Sequence, residues 1–215
     1  MFDKRYIAEL IGTFALVFCG TGAIIINDIT NGSVTHVGIA ITFGLIVTAM
    51  IYTFGNLSGA HINPAISIAF SFTKAFKKRL LLGYIIAQLV GAILASLILS
   101  FLFTDHESLG ATMPFGSWQQ TFILEIILTY FLMLAIVFVS QNADLNKFTG
   151  LVVGGTVMLE AMFAGPITGA SMNPARSIGP AVVSGNLTLL WVYIAAPIVG
   201  AILASITYNL LNNNK

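Results

Sequence analysis

The string Val90-Gly91-Ala92-Ile93-Leu94-Ala95-Ser96 recurs letter for letter as Val199-Gly200-Ala201-Ile202-Leu203-Ala204-Ser205. This repeat restricts the fold more than any other feature, because it makes the chain a duplicate. Each copy follows a loop-to-helix box at nearly the same distance. One box reads Gly59-Ala60-His61-Ile62-Asn63-Pro64-Ala65, the other Gly169-Ala170-Ser171-Met172-Asn173-Pro174-Ala175-Arg176. Asn is a preferred helix N-cap, since its side chain serves the orphan amides of the first turn. Pro suits the first helical position, where its missing N–H costs nothing. Small residues ahead of the Asn are expected to let the backbone run extended and close to other groups. Glu9 and Glu125 form a further matched pair.

The setting of these boxes is apolar. The 215 residues are 57% hydrophobic and 8% charged, against about 25% charge in a soluble domain, so the chain reads as a multi-pass membrane protein. A net charge of +1 gives no reason to expect a nucleic acid or another strongly charged partner. The single cysteine, Cys19, excludes an internal disulfide and reads as a small core residue. The first apolar run follows Asp3, Lys4 and Arg5 without a small-residue cleavage site, and is expected to stay as a span.

Six segments, 6–26, 37–54, 80–103, 118–140, 148–166 and 189–211, approach the roughly 20 apolar residues that cross a bilayer. Two shorter ones, 63–72 and 173–184, cover only about half of it and must enter and turn back. Three spans in each half force the halves, about 1–104 and 117–215, to insert upside down relative to each other. The expected fold is an all-α membrane protein, a single domain of six transmembrane helices plus two half-spanning helices in an inverted 3+3 repeat. Threaded from an inside N-terminus, Lys4, Arg5, Lys74, Lys77, Lys78, Arg79, Lys147 and Lys215 all fall on the inner side, so both termini are expected in the cytoplasm. Arg176 alone falls elsewhere, and a charge inside a membrane is a functional candidate.

Inverted repeats with broken helices place a solute path at their interface. Two helix N-termini, each carrying about half a positive charge, would point at one spot from opposite leaflets. That spot repels cations, while the Asn63 and Asn173 amides can donate to a neutral solute. Such a path passes water or small polyols and excludes ions and protons. An alternating-access transporter shares the repeat architecture but needs an ion site, and the path offers only Arg176 and Glu160. An enzyme is disfavoured, because the chain has no metal-ligand cluster, nucleophile–base spacing or phosphate loop; no cofactor or metal is expected.

The two Asn-Pro-Ala boxes, Arg176 three residues after the second Asn, the paired Glu, the six spans and the repeat together resemble the aquaporin, or major intrinsic protein, family. The resemblance covers nearly the whole chain. It implies a homotetramer in the cell membrane with one pore per subunit. It implies pore-lining carbonyls from Gly59, Ala60, His61, Gly169, Ala170 and Ser171, with Glu9 and Glu125 buried to hold those loops. It assigns the outer constriction to Phe43, Ala161, Ala170 and Arg176. Water-selective members place His where this chain has Ala161, so a wider, more apolar opening is expected. Ser177 is similar to the water-type pattern, since typical glycerol facilitators carry Asp there. Tyr193-Ile194 is not the aromatic pair of water channels. The run 162–177 is most similar to nodulin-like intrinsic proteins and aquaglyceroporins. That group implies water, glycerol and undissociated metalloid acids such as arsenous, boric or silicic acid; a strictly water-selective pore is the alternative. Phe43 departs from that group's usual residue.

Three expectations concern isolated polar residues. Glu160 is expected either to bond a neighbouring helix or to hold Arg176 or a loop. His61 is expected to border the inner vestibule, either packed in its loop or acting as a pH gate. His36 and His106 are expected to be solvated at loop edges.

Overall fold

The computed structural model describes residues 3–73 and 75–212; Lys74 and Lys215, counted above among the inner cations, lie outside them. The described residues form eight α-helices: α1 Lys4–Ile29, α2 Thr35–Ser58, α3 Pro64–Phe70, α4 Leu81–Leu102, α5 Trp118–Ser140, α6 Thr149–Thr168, α7 Pro174–Ser184 and α8 Leu190–Asn212. Six of them, all but α3 and α7, are long and apolar enough to cross a membrane. The other two have 7 and 11 residues, which at a rise of 1.5 Å per residue reach roughly 10 and 16 Å.

Helix α6 runs past the expected stop at Pro166 to Thr168. Proline has no N–H, so the carbonyl four residues earlier loses its helical donor. That carbonyl belongs to Met162, and His36 Nε2 lies 2.7 Å from it. His36 is therefore not simply a solvated loop residue: from the start of α2 it supplies the donor that Pro166 lacks.

The repeated string marks the closest helix crossings. A Cβ on Gly91 would lie 2.3 Å from Leu10 O of α1, and a Cβ on Gly200 would lie 2.3 Å from Ile126 O of α5. Only glycine fits at either place. Leu10 and Ile126 directly follow Glu9 and Glu125, so the same crossings set those carboxylates. Helices α2 and α6 also meet backbone to backbone. A Cβ on Gly44 would lie 2.6 Å from Gly154 O, and a Cβ on Gly154 would lie 2.4 Å from Gly44 O. Lipid gives little hydrophobic drive for helices to associate, so small residues that permit close packing do that work.

The short helices are clasped by long ones from the other part of the chain. Helix α3 packs on α8, where Ser205 Oγ donates to Ala69 O at 3.1 Å. Helix α7 packs on α4, where a Cβ on Gly179 would lie 2.7 Å from Ala92 O.

Candidate functional site: two helix tips on one cavity

Glu9 is fully buried. It accepts from His61 N at 2.9 Å, Ile62 N at 2.7 Å, Ser58 Oγ at 2.7 Å and Gln88 Nε2 at 2.7 Å. Glu125, equally buried, accepts from Ser171 N at 2.9 Å, Met172 N at 2.8 Å and Thr168 Oγ1 at 2.7 Å. Gln88 has no counterpart there, since the residue two before the second repeated string is Pro197. A buried carboxylate needs such donors to offset its lost hydration.

The loops are not simply extended as expected. Gly59, Ala60 and Ile62 have φ of 87°, 46° and 43°, and Gly169, Ala170 and Met172 have 81°, 41° and 52°. Left-handed backbone at non-glycine residues costs on the order of 1–3 kcal/mol and persists where the surroundings over-determine it. The carboxylates supply that constraint by drawing successive amides to one side. Tyr84 Oη adds a bond to Ser58 O at 2.7 Å, and Tyr193 Oη a matching one to Thr168 O at 2.8 Å. The carbonyls of Gly59, Ala60, His61, Gly169, Ala170 and Ser171 have no protein donor among the described residues.

At the helix tips, Asn63 Oδ1 accepts from Ala65 N at 2.9 Å, and Asn173 Oδ1 accepts from Ala175 N at 3.0 Å and Arg176 N at 3.4 Å. The two tips are also tied to each other. Asn63 Nδ2 donates to Met172 O at 2.7 Å, and Asn173 Nδ2 donates to Ile62 O at 2.9 Å. An amide nitrogen has two hydrogens, so each Asn keeps one beyond this tie. Pro64, Ala65, Pro174 and Ala175 are buried in the first helical turns and do not reach the cavity.

A cavity of about 200 Å³ passes both Asn side chains. Toward one end its wall carries Gly59, Ala60, His61 and Ala75; toward the other it carries Phe43, Ala161, Ala170, Ser171 and Arg176. Gly169 is not on the wall. Arg176 is 2% exposed, with Cζ 5.1 Å from the centre of the Phe43 ring. Its Nη1 donates to Gly110 O at 2.9 Å, while its Nε has no partner. His61 is packed as well as pore-facing: its ring lies 4.8 Å from Phe70, 4.8 Å from Phe76 and 5.2 Å from Tyr84, and its Nδ1 is 3.1 Å from Ser67 Oγ.

Other expectations need correction. Glu160 is 4% exposed, off the cavity wall, and its Oε2 has no partner. It makes no hydrogen bond to a neighbouring helix, to Arg176 or to a loop among the described residues. Cys19 is only half-buried. His106 is not simply solvated: it contacts Asp28 Oδ2 at 3.3 Å and accepts from Leu109 N at 3.1 Å. Sequence reasoning missed the supporting roles of Ser58, Thr168, Tyr84, Tyr193 and Gly110. The first four were findable, because each pair occupies matched positions of the duplicated sequence. Gly110 has no twin and left no signal.

Six spanning helices around a cavity, with two half-length helices meeting tip to tip inside it, define a polytopic membrane channel. The profile of the family described as "Major intrinsic protein" matches residues 1–208, and the chain belongs to that family. It is 46% identical over 212 residues to "Aquaporin NIP1-1" of Zea mays, covering 98% of this chain and 75% of that protein. It is 42% identical over 212 residues to "Nodulin-26" of Glycine max, covering 98% and 78%. Its fold is similar to the "X-ray structure of the aquaglyceroporin from Plasmodium falciparum", with a TM-score of 0.87, 29% identity, and coverage of 96% of this chain and 95% of that one.

Proposed function

We propose that this channel for water and small neutral solutes admits glycerol and undissociated metalloid acids as well as water. It works as a homotetramer in the cell membrane with both termini cytoplasmic. Each subunit is one domain of two inverted halves, about 1–104 and 117–215. The observation that carries the solute range is Ala161. It shares the cavity wall with Phe43, Ala170 and Arg176, and its methyl group leaves room that a larger side chain would fill. A polyol or a neutral hydroxylated acid lays carbon or its flat face against Phe43. Its hydroxyls meet the Arg176 guanidinium and the unpaired loop carbonyls on the cavity wall. Names of relatives such as "Aquaporin NIP1-1" and "aquaglyceroporin" support this range.

Ion exclusion follows from the same parts. Both half-helices present their N-termini, each equivalent to about +0.5 charge, and the Asn ties hold those ends together. A cation there would lose hydration and meet positive dipoles. A neutral solute exchanges its water for Asn amides and loop carbonyls.

Stopped-flow light scattering on reconstituted vesicles tests the reading, comparing water shock with glycerol shock. Glycerol uptake should be fast, with a low activation energy and no saturable counterflow. Ala161→His should cut glycerol permeability about tenfold or more, the scale of a ~1–3 kcal/mol steric penalty, and spare water. Equal loss of both solutes means that Ala161 does not set the constriction.

A further inference from the structure

We propose that His106 is a positioning residue for Arg176, and that its protonation releases the arginine. The inference rests on the channel reading. Among the described residues, the Arg176 guanidinium has one hydrogen bond to protein, from Nη1 to Gly110 O at 2.9 Å. Its Nε has none. Whatever holds Gly110 therefore orients the charged head at the constriction.

Gly110 lies in a tight turn between α4 and α5. Leu109 has φ 50° and Gly110 φ 70°. A Cβ on Gly110 would lie 2.9 Å from Thr21 Cβ on α1, so the turn sits hard against that helix. Leu109 is 3% exposed and packs with Ile25 and Leu99. A non-glycine residue holds left-handed backbone only when neighbours enforce it. Here Ala111 N closes the turn by donating to Ser108 O at 2.9 Å, and the imidazole anchors it, since Leu109 N donates to His106 Nδ1 at 3.1 Å. Two residues on, Thr112 Oγ1 is 2.8 Å from Ser177 Oγ, so the same segment touches α7 a second time.

The bonds fix the tautomer. Nδ1 accepts, so the proton of a neutral ring sits on Nε2 and points at Asp28 Oδ2, 3.3 Å away. A neutral imidazole satisfies both partners. A second proton on Nδ1 turns the acceptor into a donor facing the Leu109 N–H. The Asp28 contact survives and the Leu109 contact breaks. Histidine is the side chain that changes charge between about pH 5 and 8. The charged groups around the ring are Asp28 on α1, its chain neighbours Asp105 and Glu107, and Arg176 beyond Gly110. Asp28 has a half-exposed side chain, and such a pair stabilises little; its effect is on geometry. Without the Gly110 carbonyl, the buried guanidinium turns toward the loop carbonyls and narrows the opening. Glycerol is the wider solute and loses more than water.

The test is the ratio of glycerol to water permeability in reconstituted vesicles, with equal pH on both sides, at about pH 8 and about pH 5. The wild-type ratio should fall severalfold at the acid pH. His106→Gln keeps an acceptor but does not titrate, and should hold the pH 8 ratio at both values. His106→Phe offers Leu109 no acceptor and should show the pH 5 ratio at both. A flat wild-type ratio overturns the proposal. So does a pH response that persists in His106→Gln, which would place the titrating group elsewhere, such as His61. Should His106→Phe not fold, the other two proteins decide. Absence of flux at every pH contradicts the channel reading and this inference with it.

Discussion

The buried carboxylates show how single residues set the pore. Glu125 receives three donors, Thr168 Oγ1, Ser171 N and Met172 N. Removing it leaves these buried donors without that acceptor, at about 1–3 kcal/mol for each group so orphaned. Glu125→Ala should therefore lower the unfolding temperature in detergent well below wild type. Glu125→Gln should lower it less, since it keeps one acceptor oxygen and sets an NH₂ against an N–H. A Glu125→Ala protein as stable as wild type would mean that the loop holds its left-handed backbone unaided. Glu9 and Glu125 were legible in the sequence because a matched pair of carboxylates in apolar helices needs a matched purpose. Glu160 was not legible: it is unpaired in the repeat, and its oxygen is unpaired in the structure as well.

At the scale of the element, helix ends carried the sequence signal and helix repairs did not. Asn63 and Asn173 announced α3 and α7 correctly because a cap acts within two or three residues of its own position. The end of α6 depended on His36, which lies 126 positions from its partner Met162, and no local rule reveals that. The pairing has a direct test. His36→Ala should cost about 0.5–1.5 kcal/mol, the worth of one hydrogen bond. Pro166→Ala restores a backbone N–H able to serve Met162 O. His36→Ala should then cost less in that background, giving a coupling energy in a double-mutant cycle read from thermal unfolding. Strictly additive costs would show that His36 and Pro166 act independently. The tie between the half-helix tips and the Gly110 turn went unread for the same reason, since each joins residues far apart in the chain.

Over the whole molecule, the duplication is the organising fact. The repeated string sits where α4 crosses α1 and α8 crosses α5, with Gly91 and Gly200 in matching contacts with Leu10 O and Ile126 O. The third crossing, Gly44 against Gly154, joins α2 to α6. A side chain there meets backbone oxygen as well as a neighbouring side chain, Thr48 Oγ1 at Gly154 and Met158 Cβ at Gly44. Gly154→Leu should thus abolish folded, monodisperse protein, as read by size-exclusion chromatography, whereas a change at the open position Gly155 should be tolerated. Equal tolerance at both sites would remove close packing as the basis of the fold. These crossings hold α3 and α7 so that two electropositive tips share one cavity. The most direct measurement of that claim is paired flux in one vesicle preparation: glycerol uptake by light scattering and proton movement by an internal pH dye. Paired tips give glycerol uptake far above that of empty vesicles, with no added proton leak. Protons moving with glycerol, or uptake no faster than through bare lipid, would contradict it.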